Sequence, residues 1–114
     1  MKKRYELFSA NNENGYTTIS LSVDGKRLVL SDCSGGPMCE AFLGKEDWDY
    51  FMSFDKAAAR KMLKYLKVRV APSASPAEAL AGCLVAKFAG DPDVTDRIRV
   101  MARKAGVEPE VESW

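Results

Sequence analysis

Histidine is absent from all 114 residues. Without an imidazole there is no Ser-His-Asp or Cys-His nucleophile system, no histidine-ligated zinc, and no usual general base near neutral pH. Cysteine is scarce. Cys33, Cys39 and Cys83 are three, an odd number, so at least one stays unpaired unless it bridges to another chain. That fits a reducing compartment. An excess of charge is lacking too, since 17 Lys and Arg stand against 16 Asp and Glu, leaving a net charge of +1. No bulk field therefore draws the chain to nucleic acid or to an anionic membrane surface. Long apolar runs are also missing: the most apolar stretch, Ala77 to Ala89, is broken by Glu78, Gly82 and Lys87, which argues against a membrane span. The basic cluster Lys2-Lys3-Arg4 has no apolar run behind it and does not read as a signal peptide. The expected location is the cytoplasm.

What remains is 46% hydrophobic and 29% charged, the balance of one soluble globular domain spanning residues 1–114. A chain of this length buries roughly two-thirds of its extended-state surface, enough for one core without metals or disulfides.

The first half reads as strands. In Tyr16 to Val23, Ile19, Leu21 and Val23 alternate with small polar residues, the period of a strand with one buried and one wet face. Asp24-Gly25 then turns the chain into Arg27-Leu28-Val29-Leu30, a hairpin signal. Upstream, Arg4 to Phe8 is a first strand, separated from the second by a turn over Asn11 to Gly15. Asp32 to Pro37 reads as a turn and Met38 to Leu43 as one or two helical turns ending at Gly44. Trp48 to Phe54, rich in aromatics, is a fourth strand beside the meander.

From Asp55 the period changes. Asp55 caps a helix in which Ala59, Met62, Leu63 and Leu66 form the apolar stripe. Ser75-Pro76-Ala77-Glu78 is a capping box with proline at the first helical position, and Ala77, Leu80, Ala81, Leu84, Val85 and Phe88 follow in phase up to Gly90. Asp91-Pro92 starts a third helix carrying Val94, Ile98, Met101, Ala102 and Ala105, which Gly106 stops. The tail from Val107 to Trp114 alternates again and reads as a last, edge strand because of Pro109. Strands first and helices later give an α+β class, an antiparallel sheet of four to five strands covered on one face by three helices. Val68 to Ala74 is the only linker-like stretch.

Few residues carry chemistry. Ser34-Gly35-Gly36-Pro37 has the letters that follow the nucleophile in chymotrypsin-like proteases, but no histidine exists to take the serine proton. Its remaining reading is a flexible turn whose amides face an anion, or a small-ligand or enzymatic site using Cys33 to Cys39. The acidic neighbours Asp32 and Glu40 raise a thiol pKa and argue against reactive cysteines there. Cys83 lies beside the apolar stripe of the second helix and reads as a small core residue. No CxxC pair suggests zinc, so neither a metal nor another cofactor is expected. Glu46, Asp47 and Asp49 form an acidic group around Trp48. Charge is more unevenly placed than composition suggests. Lys56, Arg60, Lys61, Lys64, Lys67 and Arg69 are six bases with no acid between them, and Lys56, Arg60, Lys64 and Lys67 share one stripe. Glu108, Glu110 and Glu112 lie unopposed in the tail. Such asymmetry reads as a solvated helix face or as a surface that steers a charged partner.

Leu21-Ser22-Val23-Asp24-Gly25 with Leu28 to Ser31, the run Trp48-Asp49-Tyr50-Phe51 leading into a helix, and the ending Pro109 to Trp114 together resemble a group of small bacterial α+β proteins, most of them uncharacterised. Some comparable proteins are immunity proteins, which bind and neutralise a cognate toxin domain. The resemblance implies a protein partner of that kind and transfers no catalytic residue. The best-known nuclease inhibitors of that sort are strongly acidic, and this chain is not.

The reading is thus a non-enzymatic cytoplasmic binding module that contacts a protein through Glu46, Asp47 and Asp49 or through Lys56, Arg60, Lys64 and Lys67, with Trp48 or Trp114 as an aromatic anchor. Two alternatives are kept: the enzymatic or ligand-binding Gly-Gly turn, and nucleic-acid contact through the basic helix at 56–69. Neither strand order nor oligomeric state follows from the residues.

Overall fold

A computed structural model describes residues 3–37, 41, 44, 47–71 and 73–113. Among these residues, five strands and three helices with described bounds follow in the order β1 (Lys3–Asn12), β2 (Gly15–Asp24), β3 (Arg27–Gly35), β4 (Asp47–Phe54), α1 (Lys56–Tyr65), α2 (Pro76–Phe88), α3 (Val94–Lys104) and β5 (Glu110–Ser113). All strands join one antiparallel sheet in sequence order, β1-β2-β3-β4-β5. The class is α+β. Of the expected short helix at Met38 to Leu43, only Ala41 is among the described residues, and it is helical.

Alternation along the strands sorts side chains into two layers. Leu21, Leu30 and Met52 share one cross-strand row and Val23, Leu28 and Phe54 the next. All six are buried, and they meet Ala59, Met62 and Leu63 of α1, Leu80 and Leu84 of α2, and Ile98 and Met101 of α3 in one core. Each such side chain contributes about 1.5–3 kcal/mol through removal from water. In β1, a bulge between Glu6 and Phe8 breaks the register, and Leu7, the extra residue, is buried in the core while its carbonyl accepts from the Gly90 amide that ends α2.

The opposite face is not covered by α1, α2 or α3, yet its centre is not wet. Ser20 and Ser22, expected to face water, are 1% and 9% exposed. Ser22, Ser31 and Cys33 line a shallow trough of about 400 Å³ with Arg4 and Phe51. Among the described residues the Ser20 hydroxyl has no hydrogen-bond partner.

The turns correct several expected boundaries. Asn12 pairs with Gly15, so the first loop is only Glu13-Asn14, closed by the Asn14 amide on Asn12 Oδ1 at 2.8 Å. Asp32 to Gly35 is not a turn; it continues β3 and pairs with Tyr50 to Asp47 of β4. Local Gly-Gly signals were outweighed by ladder hydrogen bonds on both sides. Helix α3 starts at Val94 rather than at Asp91-Pro92, because Asp91 Oδ1 accepts from the Asp93 amide and holds those residues in a turn. The other caps follow the sequence in part: Asp55 accepts from the Ala58 amide at 2.8 Å and Ser75 from the Glu78 amide at 3.4 Å, while the Glu78 carboxylate meets Lys3 instead of closing the expected box. Among the described residues no helix is long and apolar enough to cross a membrane.

Candidate functional site

The basic stripe starts on α1. Burying Ala59, Met62 and Leu63 against the sheet turns Arg60, Lys61 and Lys64 outward. The helix ends at Tyr65, so Lys67 and Arg69 lie beyond it rather than on a helix running to 69. Leu66 is the cap. The Lys67 amide then donates to the Lys64 carbonyl at 3.1 Å and the Val68 amide to the Leu63 carbonyl at 3.0 Å. This is a Schellman turn, and it places Lys67 in the left-handed region at φ 59°, where glycine is the easy residue.

The turn folds Val68 back against the helix and builds a groove of about 300 Å³. Leu63, Val68, Val70 and Pro76 line it with apolar surface, and Arg60 and Lys64 bring charge to its edge. Pro76 is the first residue of α2, so the positive end of that helix dipole adjoins the same space. The stretch Val68 to Ala74, read from sequence as a linker, therefore supplies a wall. The one sequence signal for it was Val68 and Val70, aliphatic residues where a linker has no use for them.

The charge here is uncompensated. Ion pairs join Lys3 to Glu78, Arg27 to Glu110, Arg97 to Asp91 and Arg99 to Asp96. Among the described residues, none of Lys56, Arg60, Lys61, Lys64, Lys67 and Arg69 has a carboxylate partner.

The acidic group is arranged differently. Asp47 and Asp49 point to the open face of β4 while Trp48, between them, points to the helix-covered face, so the three do not form one surface. Trp48 is half-buried and stacks on Tyr50 at 5.6 Å between ring centroids. Glu46 and Trp114 lie outside the described residues. Of the tail carboxylates, Glu110 is opposed after all, since Arg27 donates to it at 2.8 Å.

The Gly-Gly segment has a backbone role. A side chain on Gly15 would stand 2.1 Å from the Gly35 carbonyl oxygen, and one on Gly36 would stand 2.5 Å from the Gly15 Cα. The strands approach there so closely that only glycine fits. Tyr16 lies over Gly35, filling the space an anion would need. Ser34 shares a hydrogen bond with Thr17 Oγ1 at 3.1 Å. Desolvation, the hydrogen bond to Asp49 and the charges of Asp49 and Asp32 push the Cys33 thiol up to about 11, against a weak opposing effect of Arg4. It stays protonated at neutral pH. Cys39 lies outside the described residues. Among the described residues, no three Cys, Asp or Glu side chains converge as metal ligands would.

One polar cluster was missed in the sequence. Asp32 continues the inward phase of Leu28 and Leu30 and lies under α3, where the Thr95 hydroxyl donates to its Oδ2 at 2.8 Å. Burial raises its carboxyl above the ordinary value; the Thr95 hydrogen bond lowers it, Asp96 raises it and Arg99 lowers it. Arg99 also lies over the Tyr50 ring at 5.2 Å. The cluster ties α3 to β3 and β4. Its signal was the in-phase spacing of Leu28, Leu30 and Asp32.

Comparisons of the chain with protein-family models, with curated proteins and with solved structures find no match.

Proposed function

We propose that this protein is a non-enzymatic protein-binding module whose docking surface is the basic flank of α1, with a partner that presents carboxylates. One observation carries the reading: the six cations from Lys56 to Arg69, with no acid between them in the sequence, stand together without a carboxylate partner among the described residues. Unpaired like charges repel one another and do nothing for the fold, but they accelerate and orient the approach of an oppositely charged surface. A role of the immunity kind, neutralising a toxin domain in the cytoplasm, is the form of this function that the sequence resemblance favours.

Nucleic acid is the less favoured partner. The groove beside Arg60 and Lys64 is lined with aliphatic groups, and Tyr65, the aromatic residue nearest in sequence, does not line it. A stacking platform is thus missing where the phosphate contacts would be.

The test uses the product of the adjacent gene. Wild-type protein should bind it in calorimetry and reduce its activity, and the R60E/K64E variant should bind about tenfold more weakly or worse. Equal binding by the variant would move the docking surface away from α1. Absence of any effect on the neighbour's activity would remove the neutralising role.

A further inference from the structure

Beside its charged edge the groove has an apolar half. Leu63, Val68, Val70 and Pro76 form a recess next to Arg60 and Lys64, with a volume of about 300 Å³. That lies at the small end of ligand pockets, room for one large side chain rather than for a cofactor. Its corner is preformed: the Val68 amide is bonded to the Leu63 carbonyl at 3.0 Å, so floor and wall are fixed to each other before anything binds.

Resting on the reading of α1 as the docking surface, we propose that this recess seats a short acidic segment of the partner protein through one large apolar side chain, such as Leu, Phe or Trp. The anchor enters among Leu63, Val68, Val70 and Pro76. Carboxylates flanking it meet Arg60 and Lys64, and the positive end of α2 favours the same sign of charge.

Spacing supports the match. Arg60 and Lys64 are one helical turn apart, about 6 Å along the axis. Carboxylates at alternate positions of an extended segment are about 6.5 Å apart, and those four apart on a helix about 6 Å, so either conformation brings two acids to two bases. A purely acidic segment would leave the apolar recess in water. A purely apolar one would desolvate Arg60 and Lys64 without return.

Fluorescence anisotropy tests this with two labelled synthetic peptides and one probe of another class. One peptide is rich in Glu with a single Trp, the second has Ser in place of that Trp, and the third probe is a single-stranded DNA oligonucleotide. The Trp peptide should bind saturably and more weakly as salt rises. The Ser peptide should bind about tenfold more weakly. Ala74 also lines the recess, and filling it by Ala74→Trp should bring the Trp peptide down to the Ser peptide's level, while R60E/K64E should weaken both. Equal affinity of the Trp and Ser peptides for the wild-type protein would overturn the recess while leaving the charged surface standing; that comparison needs no protein variant. Binding of both peptides unchanged by R60E/K64E would overturn the α1 reading itself. Tighter binding of DNA than of either peptide would overturn both in favour of nucleic acid.

Discussion

Helices α1 and α3 are built alike on one side and differently on the other. Each buries an apolar stripe, Ala59, Met62 and Leu63 in α1 and Val94, Ile98, Met101 and Ala102 in α3. Both also end in a Schellman turn, with Lys67 and Gly106 at the left-handed position. Their charges part company. In α3, Arg97 meets Asp91, and Arg99 meets Asp96 and the Tyr50 ring, so these two guanidiniums are spent within the molecule, while Arg103 and Lys104 of the last turn find no carboxylate among the described residues. In α1 the first turn carries no acid, and no carboxylate reaches its cations among the described residues. An exposed ion pair contributes only about 0–1 kcal/mol, so leaving α1 unpaired takes little from stability and leaves a field available to another molecule. The lesson is that burial makes a helix fold in place, while the pairing of its outer charges decides whether it is finished.

The largest expected effect tests the shared half of the comparison. Met62→Ala and Ile98→Ala should each cost about 2–5 kcal/mol in urea unfolding, because both side chains are fully buried. A small loss at one site alone would show that the two stripes are not equivalent.

Next comes the half that differs. Replacing Arg97 and Arg99 by Glu should lower stability by about 1 kcal/mol or more, through two reversed ion pairs and the lost ring contact. R60E/K64E should stay within about 0.5 kcal/mol of wild type. Equal losses in the two double variants would end the distinction between the paired arginines of α3 and the unpaired cations of α1.

The end turns sharpen it further. Gly106→Ala puts a Cβ at φ 75° and should cost about 1 kcal/mol. Lys67→Gly should instead gain about 0.5 kcal/mol, the relief of the left-handed strain less the added freedom of the unfolded chain. A loss on Lys67→Gly would mean that the lysine side chain supports the fold.

The smallest effect concerns the anchor of α3. Burial raises the Asp32 carboxyl above its unfolded value, so the protonated form is favoured in the native state. That contribution is present at low pH and fades as pH rises through the native pKa. Asp32→Asn should therefore be more stable relative to wild type at pH 7 than near pH 4, measured by urea midpoints at both values. A constant difference across that range would show that Asp32 titrates normally.

Legibility followed the range of the interactions. The alternation Ile19-Leu21-Val23, the cap Ser75-Pro76-Ala77-Glu78 and the stripe Ala59-Met62-Leu63 are read within a few residues of themselves, and the structure has them as expected. Asp32 to Gly35 misled because a turn-forming composition was held straight by β2 and β4, partners distant in sequence. Trp48 was grouped with Asp47 and Asp49 by adjacency, although neighbours in a strand face opposite ways. The pairing of Arg27 with Glu110 spans 83 positions and had no local trace.

The sequence by itself determined the class, the apolar stripes and the concentration of bases from Lys56 to Arg69, because periodicity and charge runs are properties of neighbouring residues. Only the tertiary structure decided that those bases find no carboxylate, that Val68, Val70 and Pro76 close an apolar recess beside them, and that Asp32 lies under Thr95. Pairing and enclosure depend on which distant segments come within a few ångströms, and the sheet order and helix packing set that.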